Sequence, residues 1–167
     1  MNSDELKCII KDDLNVVNHY TGDIYSYDNL PNQLIEGKFY IANDKSSKSD
    51  FSIPGHWISI LFYPGYLVYV DSFGLPIEPQ FYEPLLTKCN VPIMYMNKQL
   101  QNVKTSACGM HSILFSTCFS YGWNVLEILE KCYQINTKST DPYFYDHKAQ
   151  TFLHDFYNEN RSIFYEF

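Results

Sequence analysis

The chain has 167 residues, of which 46% are hydrophobic, and a formal net charge of −7. That content is too apolar for a disordered segment and long enough to bury one core. A sequence pI near 5.1 argues against a general affinity for nucleic acid, which needs clustered Lys and Arg. No apolar run approaches the roughly 20 residues that span a bilayer, so no membrane association is expected. The opening Met1-Asn2-Ser3-Asp4-Glu5 has neither a basic nor an apolar leader region; no secretion is expected, and the compartment is expected to be reducing. The cysteines, Cys8, Cys89, Cys108, Cys118 and Cys132, are odd in number, irregularly spaced and without a CxxC pair. Neither a disulfide framework nor a structural zinc site is expected from them.

In chain order, Asn2 to Asp13 reads as a helix, with Leu6, Ile9, Ile10 and Leu14 at helical spacing and Asn2 or Ser3 as cap. A Tyr- and Asn-rich irregular stretch follows, then a strand at Phe39 to Ala42 and an exposed loop from Asp44 to Pro54. His56 to Tyr63 and Tyr66 to Asp71 are two β-rich runs joined by Pro64-Gly65, which predicts a hairpin. A short helix is expected around Gln80 to Leu86, weakened by Pro84, and a strand at Pro92 to Met96. Ala107 to Tyr121 reads as a helix with no polar face, hence buried on all sides, stopping at Gly122. Asn124 to Tyr133 and Asp146 to Glu159 read as amphipathic helices, the latter with Ala149, Phe152, Leu153 and Phe156 on one face. The order predicts an α+β fold, a single domain over residues 1–167.

Chemistry concentrates at three places. Cys108 falls in the first turn of the apolar helix if Thr105 or Ser106 caps it. Free N–H groups and the helix dipole there lower a thiol pKa, and the Cys108 N–H can serve a developing oxyanion. Gly109, lacking Cβ, lets a substrate backbone come close, and Trp57 is expected beside the cleft. Alone, however, a Cys in an apolar helix reads as a small core residue. The hairpin adds the second place. A two-residue turn pairs Tyr63 with Tyr66, and counting back sets Asp71 opposite Ile58. His56 and Asp71 then project from one face as diagonal neighbours, about 7–8 Å apart before the side chains reach across. That is a general base with its orienting carboxylate. The third place is the polar loop before Cys108, where Gln101 offers a neutral amide donor for the oxyanion; on chemistry alone Gln99 serves equally. His111, at i+3 from Cys108, is an alternative imidazole partner, but both would then face the core with no cleft for a peptide. His19, His147 and His154 have no visible partners in sequence.

Taken in order, His56-Trp57, Asp71-Ser72-Phe73-Gly74, Gln101 and Ser106-Ala107-Cys108-Gly109 resemble the adenain family, the adenovirus-type cysteine endopeptidases related to ubiquitin-like-protein proteases. The order His, acid, Gln, Cys is that clan's, and the seven-residue step from Gln101 to Cys108 resembles the adenain branch. Asp4 to Asp12 and Tyr82-Glu83-Pro84-Leu85-Leu86 are similar to adenain segments as well, so the likeness spans roughly residues 4 to 122. It implies a small mixed β-sheet packed on a buried central helix that carries the nucleophile at its N-terminus. It implies a Cys108–His56–Asp71 triad, with Gln101 and Cys108 as oxyanion donors and Trp57 and Gly109 at the substrate cleft. The implied substrates are viral capsid or core precursors, cut at Gly-containing sites during virion maturation. The implied setting is a virion or infected cell of a virus, virophage or Polinton-like element.

Two departures stand out. Asp71 takes the place of the Glu that adenains carry, a change either carboxylate tolerates. Adenovirus enzymes also use an activating peptide and DNA; Cys89 lies near, without aligning to, the cysteine that binds the peptide, and the acidic pI counts against DNA. No cofactor is therefore carried over. Competing readings are a protease for ubiquitin or a related modifier, a Ser/Thr acetyltransferase using the same triad, and a catalytically dead binding domain.

Overall fold

The computed structural model describes residues 1–49, 55–135 and 141–164, with side chains described as far as 158. Its centre is a five-stranded mixed sheet in sequential order: β1 (Tyr25–Ser26), β2 (Phe39–Asn43), β3 (Trp57–Tyr63), β4 (Tyr66–Asp71) and β5 (Ile93–Tyr95). The inner pairs β2–β3 and β3–β4 are antiparallel and the outer strands β1 and β5 join in parallel. The hairpin register is the one the turn dictates, Tyr63 opposite Tyr66 and Ile58 opposite Asp71. Gly65 takes φ +79°, which a side chain at that corner would resist.

Alternation along β3 divides the core. Ile58, Ile60 and Phe62 pack on one face with Phe81 and Leu85 of α3 (Pro79–Lys88). Leu61 and Tyr63 face the other side, where α4 (Cys108–Ser120) lies against the sheet. Nearly every residue of α4 is buried, since α1 (Ser3–Lys11), α2 (Leu14–His19), α5 (Val125–Lys131) and α6 (Pro142–Phe164) enclose it. The helix stops before Gly122 at φ +84°.

Several sequence expectations need correction. The first helix ends at Lys11, and Asp13 caps a separate α2 by accepting from the N–H groups of Asn15 and Val16. Leu14 therefore opens α2 and is exposed instead of sharing a face with Leu6 and Ile10. β1 lies in what sequence shows as irregular chain. The last helix starts four residues early, at Pro142, a favoured first-turn position. Neither Thr105 nor Ser106 caps α4: its N-cap is Ala107, with no side-chain hydrogen bond. Of the expected 44–54 loop, residues 50–54 lie outside the described residues.

Candidate active site

His56 sits one residue before β3, and its backbone is held at both ends by Asp44. The His56 N–H donates to Asp44 Oδ1 at 2.7 Å, and its carbonyl accepts from the Asp44 N–H at 3.0 Å. The ring reaches across the hairpin end to Asp71, Nε2 to Oδ1 at 2.7 Å. Asp71 is fully buried, and the same Oδ1 accepts the Phe73 N–H at 2.7 Å. Phe73 stacks on the imidazole with centroids 4.7 Å apart, an arrangement that favours a cationic ring. Nε2 is thus engaged by the carboxylate, and the ring also interacts with the Cys108 thiol.

Cys108 opens α4 beside this pair. Burial pushes its thiol up, but the His56 ring and the N–H groups of Trp57 and Gly109 outweigh that and hold it below the ordinary value. Burial likewise works against a charge on His56, yet the Asp71 and Cys108 partners raise it to about 10. The two shifts run in opposite directions because each partner's charge favours the other's. An uncapped α4 fits this chemistry, because first-turn N–H groups without side-chain partners stay free for a sulfur or an oxyanion.

The Gln101 loop is locked to the hairpin end. The N–H groups of Leu100 and Gln101 both donate to the Ser72 carbonyl at 2.8 Å. This backbone-to-backbone approach depends on Gly74, at φ +70°, where a Cβ would fall 2.6 Å from the Gln99 nitrogen. The buried Gln101 amide accepts from Ser72 Oγ at Oε1 and donates from Nε2 to the Thr105 carbonyl, both at 2.7 Å. A carbonyl can only accept, so the nitrogen must be the atom facing Thr105, and its second N–H remains available. Gln99 is spent differently, donating to the Gln101 carbonyl at 3.1 Å.

The remaining histidines are accounted for elsewhere. His111 is buried between Tyr133 and Asp146, at 2.8 Å from each, so it is engaged away from the thiol. His19 bonds the Asn15 carbonyl, His154 bonds Asp155, and His147 is exposed. Cys89 donates to the Leu85 carbonyl and burial raises its pKa, the opposite of an activated thiol. No cluster of potential metal ligands occurs among the described residues, and no helix among them is long and apolar enough to cross a membrane.

No family model matches the chain, and no curated protein does. Solved structures do. A crystal structure of the selenomethionine form of the ASFV pS273R protease aligns with 67% of this chain and 42% of its own, at 18% identity and a TM-score of 0.41. Another crystal structure of the ASFV pS273R protease aligns with 80% of this chain and 60% of its own, at 13% identity and a TM-score of 0.43. The chain thus spans less than two thirds of either neighbour's length. Similarity at this level leaves the chemistry of the site to rest on its own geometry.

Sequence reasoning missed Asp44 as a support of the site, read Thr105 only as a cap of α4 and quoted Ser72 and Phe73 only within the resemblance. It missed Met1 too. The Trp57 indole N–H donates to the Met1 carbonyl at 3.0 Å, and a Cβ on Gly109 would lie 2.9 Å from Met1 Cβ and 3.3 Å from Trp57 Cδ1. The bare face of Gly109 is thus covered by Met1 and Trp57, beside a cavity of about 730 Å³ that Trp57, Ser106, Asn43 and Met1 help to line. Gly109→Ala is expected to push Met1 off Trp57, at a cost of roughly 1–3 kcal/mol for overpacking, partly offset by the better helix propensity of Ala. Thermal denaturation and the indole fluorescence of Trp57 measure it.

Proposed function

We propose that the chain is a cysteine endopeptidase with Cys108 as nucleophile, His56 as general base and acid, and Asp71 as the carboxylate that orients the ring. The observation that carries this reading is the His56–Asp71 hydrogen bond of 2.7 Å beside a buried thiol whose pKa is held down. Thiolate attack on a peptide carbonyl forms the C–S bond and moves the carbonyl electron pair onto oxygen. The Cys108 N–H and the Gln101 amide are assigned to that oxyanion. Collapse breaks the C–N bond, the imidazolium gives its proton to the leaving amine, and the neutral ring then activates water to release the acid.

Within this class, the proposed substrates are viral capsid or core precursor proteins, cut at Gly-containing sites. That substrate class rests on the resemblance of His56-Trp57, Asp71-Ser72-Phe73-Gly74, Gln101 and Ser106-Ala107-Cys108-Gly109 to the adenain family. Incubating the purified chain with candidate capsid precursors and mapping cut sites by mass spectrometry tests both levels. Cleavage that survives Cys108→Ala sinks the catalytic assignment; cleavage without preference for Gly sinks the substrate assignment alone.

A further inference from the structure

A second buried His–carboxylate unit lies behind the site. Asp146 of α6 uses both carboxylate oxygens: Oδ1 accepts from His111 Nε2 at 2.8 Å, and Oδ2 accepts from Thr105 Oγ at 2.8 Å and from the Asn102 N–H at 3.3 Å. The Tyr133 hydroxyl contacts His111 Nδ1 at 2.8 Å. Burial holds the Tyr133 phenol well above its ordinary pKa, so it stays protonated and donates. The orientation of every member then follows: Tyr133 donates to His111, His111 to Asp146, and Thr105 to Asp146. Thr105 Oγ also lies 2.9 Å from the Asn102 carbonyl, but it has one hydrogen, and the carboxylate is the stronger acceptor.

The chain of bonds ends at the oxyanion loop. Thr105 is the residue whose carbonyl receives the Gln101 amide at 2.7 Å. Its hydroxyl thus ties the residue that aims Gln101 to a carboxylate anchored on α4 through His111. We propose that Asp146, acting through Thr105, is a positioning residue for the Gln101 amide. The proposal rests on the reading of Cys108 as nucleophile and Gln101 as oxyanion donor. A donor misplaced by a fraction of an ångström loses much of its effect on a developing oxyanion, whereas the thiol keeps its own partners, His56 and the N–H groups of Trp57 and Gly109.

Two electrophiles separate these roles. Iodoacetamide alkylates a thiolate by displacement at carbon and forms no oxyanion; p-nitrophenyl acetate acylates it through one. Thr105→Val is expected to slow acylation of Cys108 by about tenfold, less than the roughly 10²–10³-fold that outright loss of an oxyanion donor costs because the amide is loosened and not removed, and to leave its alkylation rate within about twofold. Thr105→Ser, which keeps the hydroxyl, restores acylation. Gln101→Ala combined with Thr105→Val is no slower than Gln101→Ala alone, because both act through one amide. Asp146→Ala gives the same pattern with a lower melting temperature, since it also strips His111 of its acceptor. Equal loss in both reactions, no loss in either, or additive losses in the double variant would overturn the proposal. The underlying reading is tested separately: it fails if His56→Ala leaves the alkylation of Cys108 unchanged.

Discussion

Cys108→Ala is expected to lower peptide hydrolysis by about 10⁴-fold or more, the scale on which loss of a nucleophile acts in triad enzymes, while the melting temperature moves by no more than a few degrees. The change removes one sulfur from a well-packed helix start, where Cys108 is only 9% exposed. The companion variant His56→Ala reads the electrostatics. In the native chain the thiol is held down and the imidazole raised to about 10. The thiolate is therefore lost as pH falls through the lowered Cys108 value, and the imidazolium is lost as pH rises through about 10. Hydrolysis, which needs both, should show a plateau between those limits. With His56 gone, the midpoint for iodoacetamide uptake at Cys108, followed by mass spectrometry against pH, should move up toward or beyond the ordinary thiol range. A midpoint that stays put would show that the ring does not activate the sulfur.

Stability is a poor reporter of the same pair, and the signs show why. The raised His56 contributes stability that is complete below about 6.5 and is lost as pH rises through about 10. The depressed Cys108 contributes stability that is complete above the ordinary thiol value and is lost as pH falls through its folded value. Above the lowered Cys108 value and up to the ordinary thiol value of about 8.5 the two trends oppose. Unfolding free energy should be nearly flat there, so unfolding does not report the charge pair on which hydrolysis depends.

The second large effect is expected at Asp71. Asp71→Asn keeps the shape but removes the charge facing the imidazolium, and its amide nitrogen can hold the ring in the wrong tautomer. Hydrolysis should fall by about 10²–10⁴-fold, by analogy with the orienting carboxylate of serine-protease triads, with the larger part in kcat. Asp71→Ala goes further. It strips the acceptor from both the His56 ring and the Phe73 N–H, and breaking such a buried pair costs about 3–5 kcal/mol. Urea unfolding of the two variants separates the effects: Asn should cost clearly less stability than Ala. Equal losses would mean that Asp71 is chiefly structural.

The part of the site legible in sequence is the part whose geometry is local. A Pro-Gly turn sets the register of two β-rich runs, and the register alone puts His56 beside Asp71. The α4 helix is legible because it has no polar face to leave exposed. What stayed hidden depends on distant or backbone-mediated partners. Asp13 reads as one more acid at the end of a helix until its carboxylate is seen capping the next. β1 is two residues long and exists only because β2 accepts it in parallel. Asp146 gives no sign in sequence that it will meet Thr105 and His111, which arrive from a loop and a helix far upstream. Gln101 and Gln99 were chemically equivalent; the Ser72 and Thr105 contacts distinguish them.

The hairpin also bears on the order in which the molecule becomes reactive. Its two strands are adjacent in the chain and joined by a minimal turn, a unit that closes in microseconds. The helix that begins at Cys108 reaches the sheet only through long-range contacts, which form later. The hairpin brings His56 and Asp71 together through local contacts, whereas the sulfur of Cys108 gains its partners only when α4 docks. Until α4 docks, the thiol keeps the reactivity of an ordinary cysteine. On the proposed reading, activation of the thiol is thus a late product of folding, set by the docking of α4 and not by the hairpin.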